Sequence, residues 1–152
     1  MTKVIVREMK LDDIDEIYEI EKRSFSMPWS KSSFYQEIND NLAAYYYVVG
    51  VDDTLVGYMG IWKILDEGHI TNVAIDHDYR GKGYSKQLVS HVLCEMEKLE
   101  VCRFTLEVRE SNIIAQKLYL KFGFSVEGRR KKYYTDTKED ALLMWLNANS
   151  ED

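Results

Sequence analysis

Two hydrophobic periodicities alternate along the chain. Period-two alternation and short apolar runs predict strands at residues 3–9, 43–51, 55–64, 68–75 and 103–108. Apolar residues spaced three and four positions apart predict helices at residues 12–23, 31–39, 84–99 and 112–122. A closing hairpin is expected from residues 124–134 and 141–146, turning at Asp136 and Thr137. The resulting order, β-α-α-β-β-β-α-β-α-β-β, predicts an α/β protein (α+β, with a mixed sheet).

Length and composition predict one globular domain over residues 1–152. A chain of this length buries about two thirds of its unfolded surface, so a real core is expected. Apolar residues make up 45% of the chain and charged residues 30%, which is typical of globular proteins. No apolar run approaches the ~20 residues that span a bilayer, and the N-terminus lacks the apolar core of a signal peptide. We therefore expect a cytoplasmic protein without a membrane partner.

The net charge and the metal-ligating residue types limit the classes of molecule that the chain is expected to bind. A net charge of −6 disfavours direct binding to nucleic acid and favours a basic partner. The three histidines form no metal-binding pattern with each other or with a cysteine, so no metal is expected. Cys94 and Cys102 are interpreted as reduced, packed thiols. We expect a monomer or a weak dimer.

A strand, a glycine-containing turn and the start of a helix follow one another between residues 72 and 87. Gly81 and Gly83 permit positive φ angles and leave the main chain open to a bulky ligand. The amide groups of such a turn, with the dipole of the following helix, favour an anion, and Arg80, Lys82 and Lys86 add positive charge. The segment predicts a pyrophosphate site, although an ordinary strand-to-helix turn is the alternative.

The spacing of this turn excludes two common phosphate motifs. No segment matches the P-loop, and Lys86 stands where the dinucleotide fingerprint needs its third glycine. The turn, Arg80-Gly81-Lys82-Gly83-Tyr84-Ser85, resembles the acyl-CoA loop of the GNAT acetyltransferase superfamily, whose last position is usually Gly or Ala rather than Ser. We call residues 80–85 the glycine turn. The resemblance implies acetyl-CoA as co-substrate, and the predicted fold order is also the order of this superfamily.

Transfer of an acetyl group to an amine requires a held cofactor, a base for the amine and an acid for the leaving thiolate. The main chain of Val73, Ala74 and Ile75 is a candidate for binding pantetheine and the thioester oxygen, while their side chains are expected in the core. Glu107 lies in mid-strand, where a carboxylate is usually functional or paired with an arginine, unless it is exposed at the rim of the sheet. Tyr119, on the next helix, is either an acid or a core aromatic residue.

A closer resemblance covers nearly the whole chain. The segments Leu106-Glu107-Val108-Arg109-Glu110-Ser111-Asn112, Leu118-Tyr119 and Phe122-Gly123-Phe124 are similar to the motif of bacterial ribosomal-protein alanine N-acetyltransferases, the RimI type. The resemblance implies that Glu107 is the general base, acting through water on the amine, that Tyr119 is the general acid and that Asn112 contacts the cofactor. It further implies direct transfer in a ternary complex to the N-terminal alanine of a basic ribosomal protein.

Aromatic residues are the candidates for binding the acceptor, and a basic run near them has a separate interpretation. Trp29, Tyr133 and Tyr134 are predicted to hold the first residues of the acceptor, although Trp29 is equally a candidate hydrophobic plug. The family usually has a proline after the two tyrosines, and this chain has Thr135. The basic run at residues 129–132 is interpreted as a solvated face or as a cleft rim facing CoA phosphates.

Two alternatives stay open at this level. The acceptor is alternatively a lysine side chain or a small amine. The chain is alternatively a non-catalytic acyl-CoA-binding module, which the presence of both Glu107 and Tyr119 disfavours.

Overall fold

The computed structural model describes residues 2–147. Within them lie β1 (Val4–Glu8), α1 (Ile14–Ser24), α2 (Lys31–Asp40), β2 (Ala44–Val51), β3 (Thr54–Ile64), β4 (Glu67–Ile75), α3 (Tyr84–Lys98), β5 (Arg103–Arg109), α4 (Ile113–Lys121), β6 (Ser125–Arg130) and β7 (Ala141–Asn147). Short 3-10 helices at Leu11–Asp13 and His77–Tyr79 precede α1 and the glycine turn. The predicted element order and the mixed α/β class are confirmed.

The strands form one seven-stranded sheet in the order β1-β2-β3-β4-β5-β7-β6. All neighbouring pairs are antiparallel except β4 and β5, which are parallel. The β4–β5 pairing extends only from Glu67↔Arg103 to His69↔Thr105. Beyond these pairs the two strands part, and their unpaired edges border a cleft.

A β-bulge in β4 accompanies this separation. The register on β3 pairs Ile61 with Ile70 and Gly60 with Asn72, so Thr71 is the extra residue. A bulge bends its strand and increases its local twist. The bulge lies two residues after His69, the last residue of β4 that pairs with β5, so the bend and the opening of the cleft fall at the same part of the strand.

Helices cover both faces of the sheet and create two cores. The larger core lies under α3 and α4 and includes Val49, Met59, Leu88, Phe104 and Tyr119. The smaller core lies under α1 and α2 and is built around Ile17, Phe34, Tyr46, Val48 and Tyr58. Because side chains alternate along a strand, consecutive residues of β2 enter different cores.

The same alternation orients β5. Phe104, Leu106 and Val108 enter the larger core. Glu107 and Arg109 therefore project from the opposite face, on the side of α1 and α2. One face of β5 therefore contributes to the larger core, and the other face carries the charged side chains of Glu107 and Arg109.

Two expectations from the sequence are wrong. The strand expected over residues 124–134 ends at Arg130, and residues 131–140 form a loop in which Lys132 and Lys138 have φ angles of 52° and 60°. Left-handed residues cannot continue a strand, and polar side chains organise this loop instead. Cys94, expected to be packed, is exposed on α3 because it lies off the apolar face of the helix.

The helices are short. The longest, α3, has 15 residues. None of the helices formed by residues 2–147 is long and apolar enough to cross a membrane. In the same part of the chain, no group of three or more His, Cys, Asp and Glu side chains is arranged to hold a metal ion.

Candidate active site

The main chain of β4 faces the cleft at alternate residues. Asp76 N–H donates to the carbonyl of Val56 on β3 over 2.7 Å. Hydrogen-bonded pairs alternate along antiparallel strands, so the polar groups of Ala74 also turn toward β3, whereas those of Val73 and Ile75 turn toward the cleft. Of the three predicted pantetheine-binding residues, Val73 thus offers its N–H and carbonyl and Ile75 its N–H, since the Ile75 carbonyl accepts from Arg80, and Ala74 offers neither group.

The glycine turn leaves open space beside its main chain. Gly81 and Gly83 have φ angles of 76° and 84°, and a Cβ atom on either would meet no atom within 4 Å. Gly83 is also the N-cap of α3 and provides no side-chain cap, unlike Ser30 on α2 and Asn112 on α4. The first amide groups of α3 therefore remain available to an anion.

The side chains of the glycine turn differ in their contacts and in their exposure to solvent. Arg80 Nε donates to the Ile75 carbonyl over 2.9 Å and fastens the turn to the end of β4. Lys82 and Lys86 are exposed, and Lys82 lies 5.9 Å from the centre of the Tyr79 ring. Tyr84 and Ser85 are half-buried in the first turn of α3. Arg80, Lys82 and Lys86 are all exposed, so all three add positive charge near a ligand of the turn.

Glu107 has one paired and one unpaired carboxylate oxygen. Its side chain is 30% exposed, and Oε1 lies 3.5 Å from Nε of Arg130. Oε2 is buried, and no residue among those described donates a hydrogen bond to it. An unsatisfied buried acceptor is costly, so this atom is a ready site for a water molecule or a substrate N–H.

The two tyrosines of the loop at residues 131–140 lie beside Glu107. We call this segment the tyrosine loop. The rings of Tyr133 and Tyr134 are 5.2 Å apart and nearly perpendicular. The negative charge of Glu107, followed by partial burial, raises the pKa of Tyr133. Burial raises the pKa of Tyr134 to about 12, although the neighbouring Arg109 acts in the opposite direction. The structure therefore brings Glu107 together with two predicted site residues that lie more than twenty positions away in the sequence.

Tyr119 occupies the other side of β5. It is buried in the larger core, with its ring 5.4 Å from that of Phe124. Burial raises the pKa of Tyr119 further above neutral pH. Glu107 and Tyr119 thus approach β5 from opposite faces, an arrangement that suits a base and an acid acting on different atoms.

Trp29 and Asn112 have structural contacts of their own. The Trp29 ring lies 5.3 Å from Phe34 in the smaller core, and its main-chain N–H donates to buried Glu21. This packing favours the interpretation of Trp29 as a hydrophobic plug. Asn112 Oδ1 accepts from the N–H of Ala115 and caps α4, which leaves its Nδ2 group for other contacts.

Three functional candidates were absent from the residues selected from the sequence: Arg109, Arg130 and Asp136. Arg130 neighbours Glu107, and Arg109 binds Asp136 through two hydrogen bonds of 2.9 Å. The basic run did contain Arg130, but it indicated only charge. Arg129 binds Glu110 and Asp140 at 2.7 Å each, so neither arginine of the run supports the interpretation as a rim facing CoA phosphates.

A model of the Acetyltransferase (GNAT) family matches residues 14–124, a range that includes the glycine turn, Glu107 and Tyr119. The chain belongs to the GNAT acetyltransferase family. The predictions of the fold and of an acetyltransferase are confirmed by this membership together with the structure.

Individual relatives are similar over nearly the full length. A Bacillus subtilis (strain 168) protein, provisionally named a [ribosomal protein bS18]-alanine N-acetyltransferase, is 48% identical over 97% of this chain and 98% of its own. The [ribosomal protein bS18]-alanine N-acetyltransferase of Escherichia coli (strain K12) is 32% identical over 93% and 95%. The crystal structure of the Escherichia coli ribosomal-protein-S18-alanine N-acetyltransferase superimposes with a TM-score of 0.89 at 30% identity, covering 99% of this chain and 97% of that one. The closer resemblance found in the sequence is confirmed.

Proposed function

We propose that this GNAT enzyme transfers the acetyl group of acetyl-CoA to the N-terminal α-amine of a ribosomal protein that begins with alanine. One observation carries the proposal: Oε2 of Glu107 is buried and unpartnered, and Glu107 belongs to the part of β5 that no longer pairs with β4. A primary amine that enters this cleft between the strands meets a hydrogen-bond acceptor that nothing else in the described chain satisfies.

The acceptor is inferred from the relatives and from charge. The relatives from Bacillus subtilis and Escherichia coli carry names that specify alanine of ribosomal protein bS18 as the acceptor. Ribosomal proteins are generally basic, and this chain has a net charge of −6. Complementary charge increases the rate at which such partners meet.

Acetyl-CoA fits the groups that the chain presents. The open space beside Gly81 and Gly83 admits a diphosphate to the uncapped start of α3, with Lys82 and Lys86 nearby. Main-chain groups of Val73 and Ile75 face the cleft and suit the amides of the pantetheine arm. Asn112, at the start of α4, retains its Nδ2 group for the same ligand. When bound, acetyl-CoA supplies the activated acetyl thioester.

The mechanism assigns separate proton transfers to two residues. Glu107 removes a proton from the attacking amine, directly or through a water molecule held at Oε2, and Tyr119 donates a proton to the departing sulfur. Tyr133 and Tyr134, beside Glu107, contact the first residues of the acceptor. The reaction proceeds by direct transfer, so no acyl-enzyme intermediate forms.

An α-amine is the easier acceptor for a carboxylate base. Its pKa of about 8, against about 10.4 for lysine, lowers the cost of forming the free base at neutral pH by roughly 3 kcal/mol. The proposed site therefore favours an N-terminus over a lysine side chain through the lower pKa of the α-amine.

Matched peptides test the proposal. Purified protein and acetyl-CoA are incubated with a peptide that begins with alanine and contains an internal lysine, and with the same peptide carrying a blocked N-terminus. We expect CoA release and a mass increase at the α-amine of the free peptide alone. Acetylation of lysine in the blocked peptide would support the lysine alternative, and no CoA release with any amine would support a binding module.

A further inference from the structure

Arg109 makes several polar contacts with the tyrosine loop. Its two terminal nitrogens bind the two carboxylate oxygens of Asp136, each over 2.9 Å, and one of them also donates to Thr137 Oγ1 over 3.1 Å. Glu139 Oε1 lies 3.6 Å from the same guanidinium group. The planar fork of arginine suits this bidentate contact, whereas the ammonium group of lysine does not.

The same guanidinium also supports the tyrosines. Its Cζ atom lies 4.0 Å from the centre of the Tyr134 ring, and Tyr134 in turn packs edge-on against Tyr133, the neighbour of Glu107. Arg109 and Glu107 are two residues apart on β5 and project from the same face. Arg109 therefore fixes the tyrosine loop at a set position relative to the catalytic carboxylate.

Asp136 extends this contact to the connection between α1 and α2. Its Oδ2 atom accepts a hydrogen bond of 2.9 Å from Ser26, in the connection between α1 and α2. This connection is itself fastened by Trp29, whose N–H binds Glu21 and whose ring packs on Phe34. The chain Arg109–Asp136–Ser26 thus joins β5, the tyrosine loop and the α1–α2 connection.

We propose that Arg109 is a positioning residue that, through Asp136, Tyr134 and Ser26, holds the tyrosine loop and the α1–α2 connection as the two walls of the acceptor site beside Glu107. This inference rests on the proposed function for the identity of the acceptor. The guanidinium touches neither reacting atom, and its effect reaches the reaction through the placement of Tyr133 and Tyr134.

Kinetics with both substrates provide the first test. For Arg109→Gln we expect kcat/KM for the acceptor peptide to fall by about tenfold or more, because the loss of a hydrogen bond to a charged group has an effect of this size. The KM for acetyl-CoA should be unchanged. Arg109→Lys should restore little because it lacks the fork. Arg103→Gln is the matched control, since Arg103 is on the same strand and also forms ion pairs, at its far end with Asp66 and Glu67. Equal losses for the two substrates would overturn the proposal.

Limited trypsin digestion provides a second test that needs no acceptor. Lys131, Lys132 and Lys138 are exposed in the tyrosine loop. Release of the loop in Arg109→Gln should accelerate cleavage there by about tenfold, while Arg103→Gln is cut at the wild-type rate. Unchanged cleavage would overturn the proposal. If instead the wild-type protein acetylates no peptide N-terminus, the proposed function fails and the digestion result still decides the role of Arg109.

A third variant tests the hydrogen bond between Ser26 and Asp136 separately from the Arg109–Asp136 pair. Ser26→Ala removes one exposed hydrogen bond and leaves the Arg109–Asp136 pair intact, so the fold is retained. We expect the acceptor KM to rise about threefold without a change in trypsin cleavage of the tyrosine loop. Combined with Arg109→Gln it should add little, because both changes break the same connection. Additive effects of the two changes would contradict the proposed chain of contacts.

Discussion

The two arms of the sheet, β1–β4 and β5–β7, present different kinds of groups to the cleft between them. On the β1–β4 arm the available groups are main-chain amides and carbonyls of β4 and the amides of the glycine turn. On the β5–β7 arm they are side chains, with Glu107 surrounded by Arg109, Arg130, Tyr133 and Tyr134. Within residues 2–147, the strand pairing between the arms is confined to the residue pairs from Glu67↔Arg103 to His69↔Thr105.

Under the proposed function, this difference assigns one substrate to each arm. The cofactor would be bound through backbone geometry, which depends on φ angles and on open space rather than on particular side chains. The acceptor would be bound by side chains, which can be changed without altering the sheet. Substitutions on the two arms should therefore affect the kinetic constants of different substrates.

Removal of the proposed base should have the largest effect. We expect Glu107→Gln to lower kcat by about 10²–10⁴-fold, the usual contribution of a general base, with little change in acetyl-CoA affinity. Steady-state kinetics and a cofactor titration measure the two quantities. Glu127→Gln, on exposed β6, is the control. Wild-type kcat in Glu107→Gln would remove this side chain from the mechanism.

Loss of the Tyr119 hydroxyl should have a smaller effect. We expect Tyr119→Phe to lower kcat by about tenfold, because a thiol pKa of about 8.5 means that the leaving thiolate is only weakly basic and water can protonate it. Acetyl-CoA binding should be retained. Tyr47→Phe, a buried tyrosine of the same larger core, reports the cost of removing a hydroxyl away from the cleft. Similar kcat values for both variants would assign Tyr119 to the core alone.

A substitution in the glycine turn tests the β1–β4 arm. Gly83→Ala places a Cβ atom at a φ of 84° and in the space proposed for the diphosphate, so we expect the Kd for acetyl-CoA to rise by about tenfold with an unchanged acceptor KM. Gly50→Ala is the control on the same arm, because its Cβ would make only ordinary contacts of 3.5 and 3.6 Å. A change in acceptor KM alone would contradict the division between the arms.

The smallest effect is expected for the loss of the Asp136 carboxylate, which should change how the stability of the protein depends on pH in acid. Hydrogen bonds from Arg109 and Ser26 lower the pKa of Asp136 to about 2, below its value of about 3.9 in an unfolded chain. The unfolded state binds more protons between these values, so this contribution is fully present above pH ~4 and is lost as the pH falls toward 2. We expect Asp136→Asn to be less stable than the parent at neutral pH and to approach it near pH 2.

Urea unfolding at several pH values measures this difference. Asp53→Asn, in the exposed β2–β3 turn, controls for the loss of one negative charge. A stability difference for Asp136→Asn that stays constant with pH would show that the loop is held by packing rather than by this carboxylate.

The sequence predicted the elements better than the contacts between them. Each helix and strand was visible because local periodicity reflects which face is buried, as in α3, where five apolar residues enter the core. The end of β6 was misplaced because the run from Arg129 to Tyr134 has no local signal for the left-handed Lys132. Its loop is set by Asp136 and Asp140, which bind arginines distant in the sequence.

For this protein, the sequence by itself determined the element order and the glycine turn, because these depend on short-range periodicity and spacing, and the resemblance of its motifs implied which residues are available for acetyl transfer. Only the tertiary structure decided that Glu107 has one unpartnered oxygen, that Tyr133 and Tyr134 lie beside it and that Trp29 packs in the smaller core. The reason is the alternation of side chains and the bulge at Thr71, which together decide which residues share a face and where two strands part.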